Sequence, residues 1–304
     1  MSDKLAEQEK RAALRIKIQD ALVKYGFIAV TIGLFGWFAL TEETFRQPST
    51  LFSMLKFTSV VAIVGLGVTF TMVVGGLDLS VGSVAGLAVT ISAMMMVIYN
   101  LTGFFSGAMV LVAGAAVGAV NAFLIVWLKI PDLLATLGMM FIVMGLKLLP
   151  VDGQSVSSKM ILRDGSVAPG RFTEGFLAID RAMIGPVPLP VVIWIVLTAA
   201  AWYLLTRTKY GRIMYSVGAN PEAAKLSGIK VEWYRFSAYV ISGVFAATGG
   251  MILASRIGQG DISAGNSLLL DAVAVALVGT SVLGIGKPNA WGTALGALLI
   301  GIVI

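Results

Sequence analysis

The chain has 304 residues, 58% of them hydrophobic and only 12% charged, with a formal net charge of +6 and neither cysteine nor histidine. That composition excludes an ordinary soluble enzyme. The missing residue types exclude a disulfide framework, a thiolate metal site and imidazole acid–base chemistry.

In chain order, residues 1–24 form a charged, amphipathic arm carrying Lys4, Lys10, Arg11, Arg15, Lys17 and Lys24. No small-residue cleavage site follows the first apolar run, so no cleavable signal peptide is evident. Apolar runs then occupy about 25–41, 55–75, 81–99, 105–128, 132–149, 190–206, 237–255, 268–284 and 290 to the end. Runs of about 20 residues cross a bilayer as helices, and continuous apolar runs argue for helices rather than a barrel. The fold class predicted is therefore all-α: a polytopic transmembrane helical bundle of about nine spans. The last run stops at Ile304 in apolar sequence without a flanking charge, which predicts a tenth span in the complete protein.

The basic arm belongs in the cytoplasm. Six crossings later, the 207–236 segment carries Arg207, Lys209, Arg212, Lys225, Lys230 and Arg235, so its charge and the span parity agree on the cytoplasmic side. The 150–189 segment then lies outside, in the periplasm, and its glycines, prolines and mixed charges predict a short hairpin or surface helix. The transmembrane domain runs over 25–304.

Within the spans, Gly82 with Gly86, Gly114 with Gly118 and Gly292 with Gly296 have the small-residue spacing that lets helices approach closely. Gly75-Gly76-Leu77-Asp78-Leu79-Ser80-Val81-Gly82-Ser83 interrupts an apolar block that otherwise extends from 57 to 98. An intramembrane aspartate costs about 2.5–3.5 kcal/mol on insertion scales and needs a partner or water. Paired glycines let the backbone leave the helix, and Asp78 or Ser80 can cap the helix that follows. Two readings stay open: a capped break near the cytoplasmic surface, or a re-entrant break lining a transport pathway. On the second reading Gly75, Gly76, Asp78, Ser80 and Ser83 are pathway candidates.

Asp271, at the start of another apolar run, is a further pathway candidate, although a first-turn acid also simply stabilises a helix N-terminus. Asn121, Thr136, Ser242 and Thr248 are expected to hydrogen-bond neighbouring helices. Asp132 falls in an inside turn, Lys147 is expected to snorkel to the outer headgroups, and Met94 to Met96 fill lipid-facing or packing positions.

Between 209 and 229 a polar, basic stretch contains Asn220-Pro221-Glu222-Ala223-Ala224 and Gly228. Asn220 is a strong N-cap, Pro221 suits the first helical position, Glu222 complements the positive helix end and Gly228 offers a stop. A capped short helix outside the membrane is a docking handle for a soluble partner. No phosphate-binding Gly-x-x-x-x-Gly-Lys-Ser/Thr loop occurs, and Gly284 to Asn289 reads as an inside turn.

These motifs together resemble the membrane-spanning permease subunits of ribose-type ATP-binding-cassette (ABC) sugar importers. Gly75 to Ser83 is similar to that family's Gly-Gly-hydrophobic-Asp-Leu-Ser-Val-Gly-Ser signature. Thr208 to Arg212 followed by Gly218 to Ile229 resembles its cytoplasmic loop, within which Glu222-Ala223-Ala224 and Gly228 match the Glu-Ala-Ala-x-x-x-Gly coupling core. Leu270 to Ala274 and Gly279-Thr280-Ser281 resemble a third block. Met144-Gly145 and Lys287-Pro288-Asn289 depart from the family pattern. The likeness extends from about residue 55 to 304.

The resemblance implies a permease subunit importing a monosaccharide or related polyol by alternating access. It implies a second permease subunit, ABC ATP-binding subunits docked through Asn220 to Gly228, and a periplasmic or lipid-anchored sugar-binding protein. ATP is then bound by a partner, no cofactor belongs to this chain, and its place is the bacterial inner membrane. The alternatives are an ion-coupled secondary transporter driven through Asp78, which requires a matched acid that the sequence does not offer, and a channel-like membrane protein. An enzyme lacks its nucleophile–base or metal constellation.

Overall fold

The computed structural model describes residues 25–282 and 286–303; the arm expected at 1–24 lies outside them. The helices are α1 (Tyr25–Thr41), α2 (Pro48–Val73), α3 (Val81–Ala93, continued by a wider π turn over Met94–Ile98), α4 (Gly103–Val126), α5 (Asp132–Leu146) and α6 (Glu174–Arg181). They continue with α7 (Leu189–Arg207), α8 (Lys209–Ala219), α9 (Pro221–Leu226), α10 (Val231–Ile257), α11 (Leu268–Gly279) and α12 (Ala290–Val303). A two-residue hairpin, β1 (Met183–Ile184) against β2 (Val187–Pro188), precedes α7. The protein is an all-α polytopic membrane protein.

Six helices are long and apolar enough to cross a membrane: α2, α3, α4, α5, α7 and α10, with α3 extended through Ile98 and α5 through Val151. Helices α1, α11 and α12 are apolar but shorter. Each expected run thus has its helix, yet the structure gives six of spanning length where the sequence suggested about nine. Helix α11 ends at Gly279 rather than 284, and α10 begins at Val231, inside the segment expected to be loop.

The shortness of α11 has a tertiary cause. Gly260 forms an antiparallel bridge with Val156 and lies against Ala93, whereas Gly265 lies against Gly82 and Gly86. The chain from 260 to 265 therefore runs antiparallel to α3, from beside its end back to its first turns, and only there does α11 start. Irregular backbone at such depth is tolerated where protein buries it.

Helix α10 is the hub, packed on α4, α2 and α3. Its approach to α4 is a backbone contact: a Cβ on Gly114 would strike the Gly243 carbonyl, and one on Gly118 the Tyr239 carbonyl. That is the close approach expected of this glycine pair. Helix α2 is enclosed along its second half, where Val60 to Phe70 are nearly all fully buried. By contrast α4, α5 and α7 expose much apolar surface, including Phe104, Phe123, Phe141 and Val196.

The 150–189 segment contains both the surface helix and the hairpin. Helix α6 is clamped to the bundle by Asp180, whose carboxylate accepts from Lys56 Nζ on α2 at 3.1 Å and from Arg256 Nε on α10 at 3.0 Å. Arg256 also donates to the Lys56 carbonyl at 2.7 Å.

Candidate functional site

Two neighbouring pieces carry the functional expectations. The first is the α8–α9 loop. Thr208 caps α8 by accepting from Gly211 N–H at 3.1 Å, and Asn220 caps α9 by accepting from Ala223 N–H at 3.0 Å. Pro221 occupies the first turn with Glu222. Gly228 stops the helix with φ +80°, a conformation that disfavours any side chain.

Helix α9 is held by one side and displayed by the others. Ala224 is buried in the main core cluster, while Glu222 and Ala223 are exposed and Leu226 is 91% exposed. Helix α8 is the bracket. Met214 and Val217 are fully buried, Tyr210 donates to Ser237 of α10, and Tyr215 donates to the Pro288 carbonyl at 2.7 Å. Burial pushes the Tyr215 phenol up, so it remains a donor throughout the physiological pH range.

The second piece is the break between α2 and α3. Gly75 N–H bonds the Met72 carbonyl at 3.0 Å and Gly76 N–H the Thr71 carbonyl at 2.9 Å, with Gly75 at φ +80°. This is a Schellman stop, which explains the first glycine. The second is explained by space: a Cβ on Gly76 would collide with the Tyr239 hydroxyl and the Asp132 carboxylate.

Asp78 is 1% exposed. Its Oδ1 accepts from Ser80 N–H at 2.9 Å and Ser80 Oγ at 2.6 Å, and its Oδ2 accepts from Ser242 Oγ of α10 at 2.8 Å. Asn121 Nδ2 of α4 donates to Ser80 Oγ at 2.9 Å, and Ser83 Oγ donates to the Ser80 carbonyl at 2.8 Å. Three hydrogen bonds of about 1–3 kcal/mol each offset an insertion cost of about 2.5–3.5 kcal/mol. The break, α4 and α10 are thereby joined in one polar cluster, in which Asn121 Oδ1 alone is buried without a partner.

A third group went unnoticed in the sequence. Asp132, expected in a turn, is the first residue of α5. It accepts from Arg235 NH2 at 2.9 Å and from the Tyr239 hydroxyl at 2.7 Å. Thr136 links the same turn to the Leu77 carbonyl at 3.4 Å. The one available signal was an Arg and a Tyr four apart on the α10 face.

Lys147 corrects another expectation. Rather than reaching outer headgroups it is 2% exposed, with Nζ directed to the Ala264 carbonyl at 3.4 Å. The reason is the inward course of residues 260–265, which roofs that side chain. Asp271 sits half-buried in the first turn of α11 and shares no hydrogen bond with the Asp78 cluster. Gly75, Gly76, Asp78, Ser80 and Ser83 are thus brought together, and Asp271 stands on another element. Among the described residues no cluster of three Asp or Glu side chains could hold a metal ion.

The two pieces touch. Gly218, at the end of α8, lies so close to the end of α2 that a Cβ on it would strike the Val73 carbonyl and sit 3.1 Å from Gly75 N.

Comparison with known proteins gives the family. A family model described as the permease component of branched-chain amino acid transport systems matches residues 50–304. The ribose import permease protein of Haemophilus influenzae is 34% identical over 276 residues, covering 90% of this chain and 82% of the relative. The D-allose transport system permease protein of Escherichia coli is 31% identical over 92% of this chain and 82% of its own length. The galactose/methyl galactoside import permease protein of the same species is 31% identical over 92% and 83%. No solved structure matches.

Proposed function

Because the chain belongs to the transport-system permease family whose model covers residues 50–304, we propose that it is the transmembrane permease subunit of an inner-membrane ABC importer for a monosaccharide or related polyol. The observation that carries this is the displayed α9 helix joined through Gly218 to the glycine break that holds Asp78. The family description names amino acids, but relatives alignable over about nine-tenths of the chain are named for ribose, allose and galactose, which favours sugars.

In this reading α9 seats in an ATP-binding subunit, with Glu222, Ala223 and Leu226 toward the partner and Ala224 toward the core. Asn220, Pro221 and Gly228 keep the helix rigid, so closure of the ATPase pair moves α8 as a body. Gly218 passes that motion to Val73–Gly76, and the Asp78 cluster passes it on to α4 and α10. Rigid elements with two discrete packings are the usual substrate of such switching. ATP and its hydrolysis belong to the partner, this chain carrying the path and the handle. A second permease subunit completes the pathway, and a periplasmic or lipid-anchored binding protein delivers the sugar.

The sidedness follows from charge. With 1–24 and 207–230 in the cytoplasm and 150–189 in the periplasm, the basic segments all lie inside. This counts α1, α11 and α12 as membrane elements, nine in all, the last two held by packing on each other and on α2.

The test is reconstitution in proteoliposomes with the ATP-binding subunit and binding protein, following labelled ribose, allose, galactose and fructose. Uptake that requires ATP and is unaffected by collapsing ion gradients is expected. Gradient-driven uptake without ATP would assign the chain to secondary transport.

A further inference from the structure

At the foot of α7 a cleft of about 590 Å³ opens between α7, α8 and the turn leading into α12. Its wall includes Trp202, Leu205, Arg212, Lys287 and Trp291, and no acidic residue lines it. Arg212 and Lys287 are exposed and form no ion pair among the described residues. Arg207 adds a third cation at the rim, stacked over the Trp202 ring at 5.4 Å.

The wall is rigid. Tyr215 donates to the Pro288 carbonyl at 2.7 Å, and Asn289 Nδ2 donates to the Gly279 and Val282 carbonyls at 3.1 and 3.0 Å. The Tyr215 bond ties the segment bearing Lys287 to α8, and the Asn289 bonds tie it to the end of α11. Cations held in such a frame, without a protein counter-ion among the described residues, are open to an anion from outside.

We propose that this cleft binds the phosphate of an anionic phospholipid of the cytoplasmic leaflet, with the acyl chains running along the outer face of α7. Three features select a lipid over an acidic protein segment. Ile195 lies two helical turns from Trp202 on the same face and is 50% exposed, with Val196 beside it at 59%, so an apolar track continues directly from the cationic end. Two indoles, Trp202 and Trp291, flank the cations at the ends of apolar helices, where headgroups and aromatic side chains share a level. Basic pockets between helices on the cytoplasmic side suit phosphate headgroups, which arginine grips with its planar fork. The lipid assignment rests on the sidedness above but not on the sugar reading, since lipid retention is measured apart from uptake.

The full chain, purified in mild detergent, is examined by native mass spectrometry and by thermal unfolding in mixed micelles. An anionic phospholipid is expected to survive purification, and phosphatidylglycerol is expected to raise Tm where phosphatidylcholine does not. Arg212→Ala and Lys287→Ala each weaken phosphatidylglycerol binding roughly fivefold, while Lys230→Ala, outside the cleft, leaves it unchanged. Both substituted side chains are exposed, so the variants fold, and their unperturbed Tm without lipid checks this. An equal response to the two lipids, or an unchanged response in the double variant, overturns the proposal. Stabilisation by glycerol 3-phosphate alone overturns it in favour of a free-phosphate site. Intact lipid retention with lost capture of the ATP-binding subunit overturns it in favour of protein docking.

Discussion

Gly218 on α8 and Gly75 in the α2–α3 break meet backbone to backbone, with a Gly218 Cβ position only 3.1 Å from Gly75 N and in collision with the Val73 carbonyl. A contact of this kind transmits displacement because neither partner has a side chain to rotate away. It places the displayed α8–α9 loop one step from the polar cluster that joins α3, α4 and α10.

Gly218→Ala is therefore expected to separate α8 from the break while leaving membrane insertion intact. Uptake should fall at least tenfold in proteoliposomes, with ATP hydrolysis persisting. Gly138→Ala, where a Cβ meets nothing within 4 Å, is the matched control. Equal uptake by the two variants would remove Gly218 from the coupling route.

Substitutions on α9 should divide by face. Leu226→Asp and Glu222→Ala alter groups that face solvent, so they should abolish capture of the ATP-binding subunit without shifting Tm. Gly228→Ala forces a side chain into φ +80° at a cost of about 1–2 kcal/mol, and should lower both capture and coupling. Normal capture by all three would show that the partner docks elsewhere.

Asp132→Ala should destabilise the protein, contrary to what a turn position suggests. It strands Arg235 and the Tyr239 hydroxyl against Gly76. Since the Arg–Asp side chains keep 25% and 20% exposure, the loss is discounted to roughly 2–3 kcal/mol. Asp78→Ala should cost about as much, by leaving Ser242 and Ser80 unpaired in a buried cluster. Thermal unfolding in detergent compares them, and a Tm for Asp132→Ala matching wild type would refute the clasp.

Lys147→Met should keep the fold and match or exceed wild-type Tm. The ammonium is buried with one hydrogen bond, at 3.4 Å to the Ala264 carbonyl. The Asp261 charge acts on it without forming an ion pair among the described residues, so its desolvation outweighs what offsets it and an apolar side chain of similar length fits better. A clear drop in Tm would mean that the 260–265 segment depends on that bond.

Much of this was legible along the chain. Asn220, Pro221 and Gly228 act locally, through caps and a positive φ, and the structure places each where local rules put it. The Gly75–Gly76 pair was visible as a break, and Gly114 with Gly118 as a packing face. Asp132 and Lys147 were misjudged because their surroundings come from residues about a hundred positions away, Arg235 and Tyr239 in one case and Ala264 in the other.

The sequence by itself determined an all-α membrane protein with a capped short helix at 221–226, because hydrocarbon thickness, backbone satisfaction and capping act on each segment separately. Tertiary structure decided that α11 is short, that Lys147 is covered, that Asp78 answers to Ser242, and that Gly218 touches the break at Gly75. Each of those depends on which distant backbones come into contact, and glycine spacing permits a close approach without naming the partner.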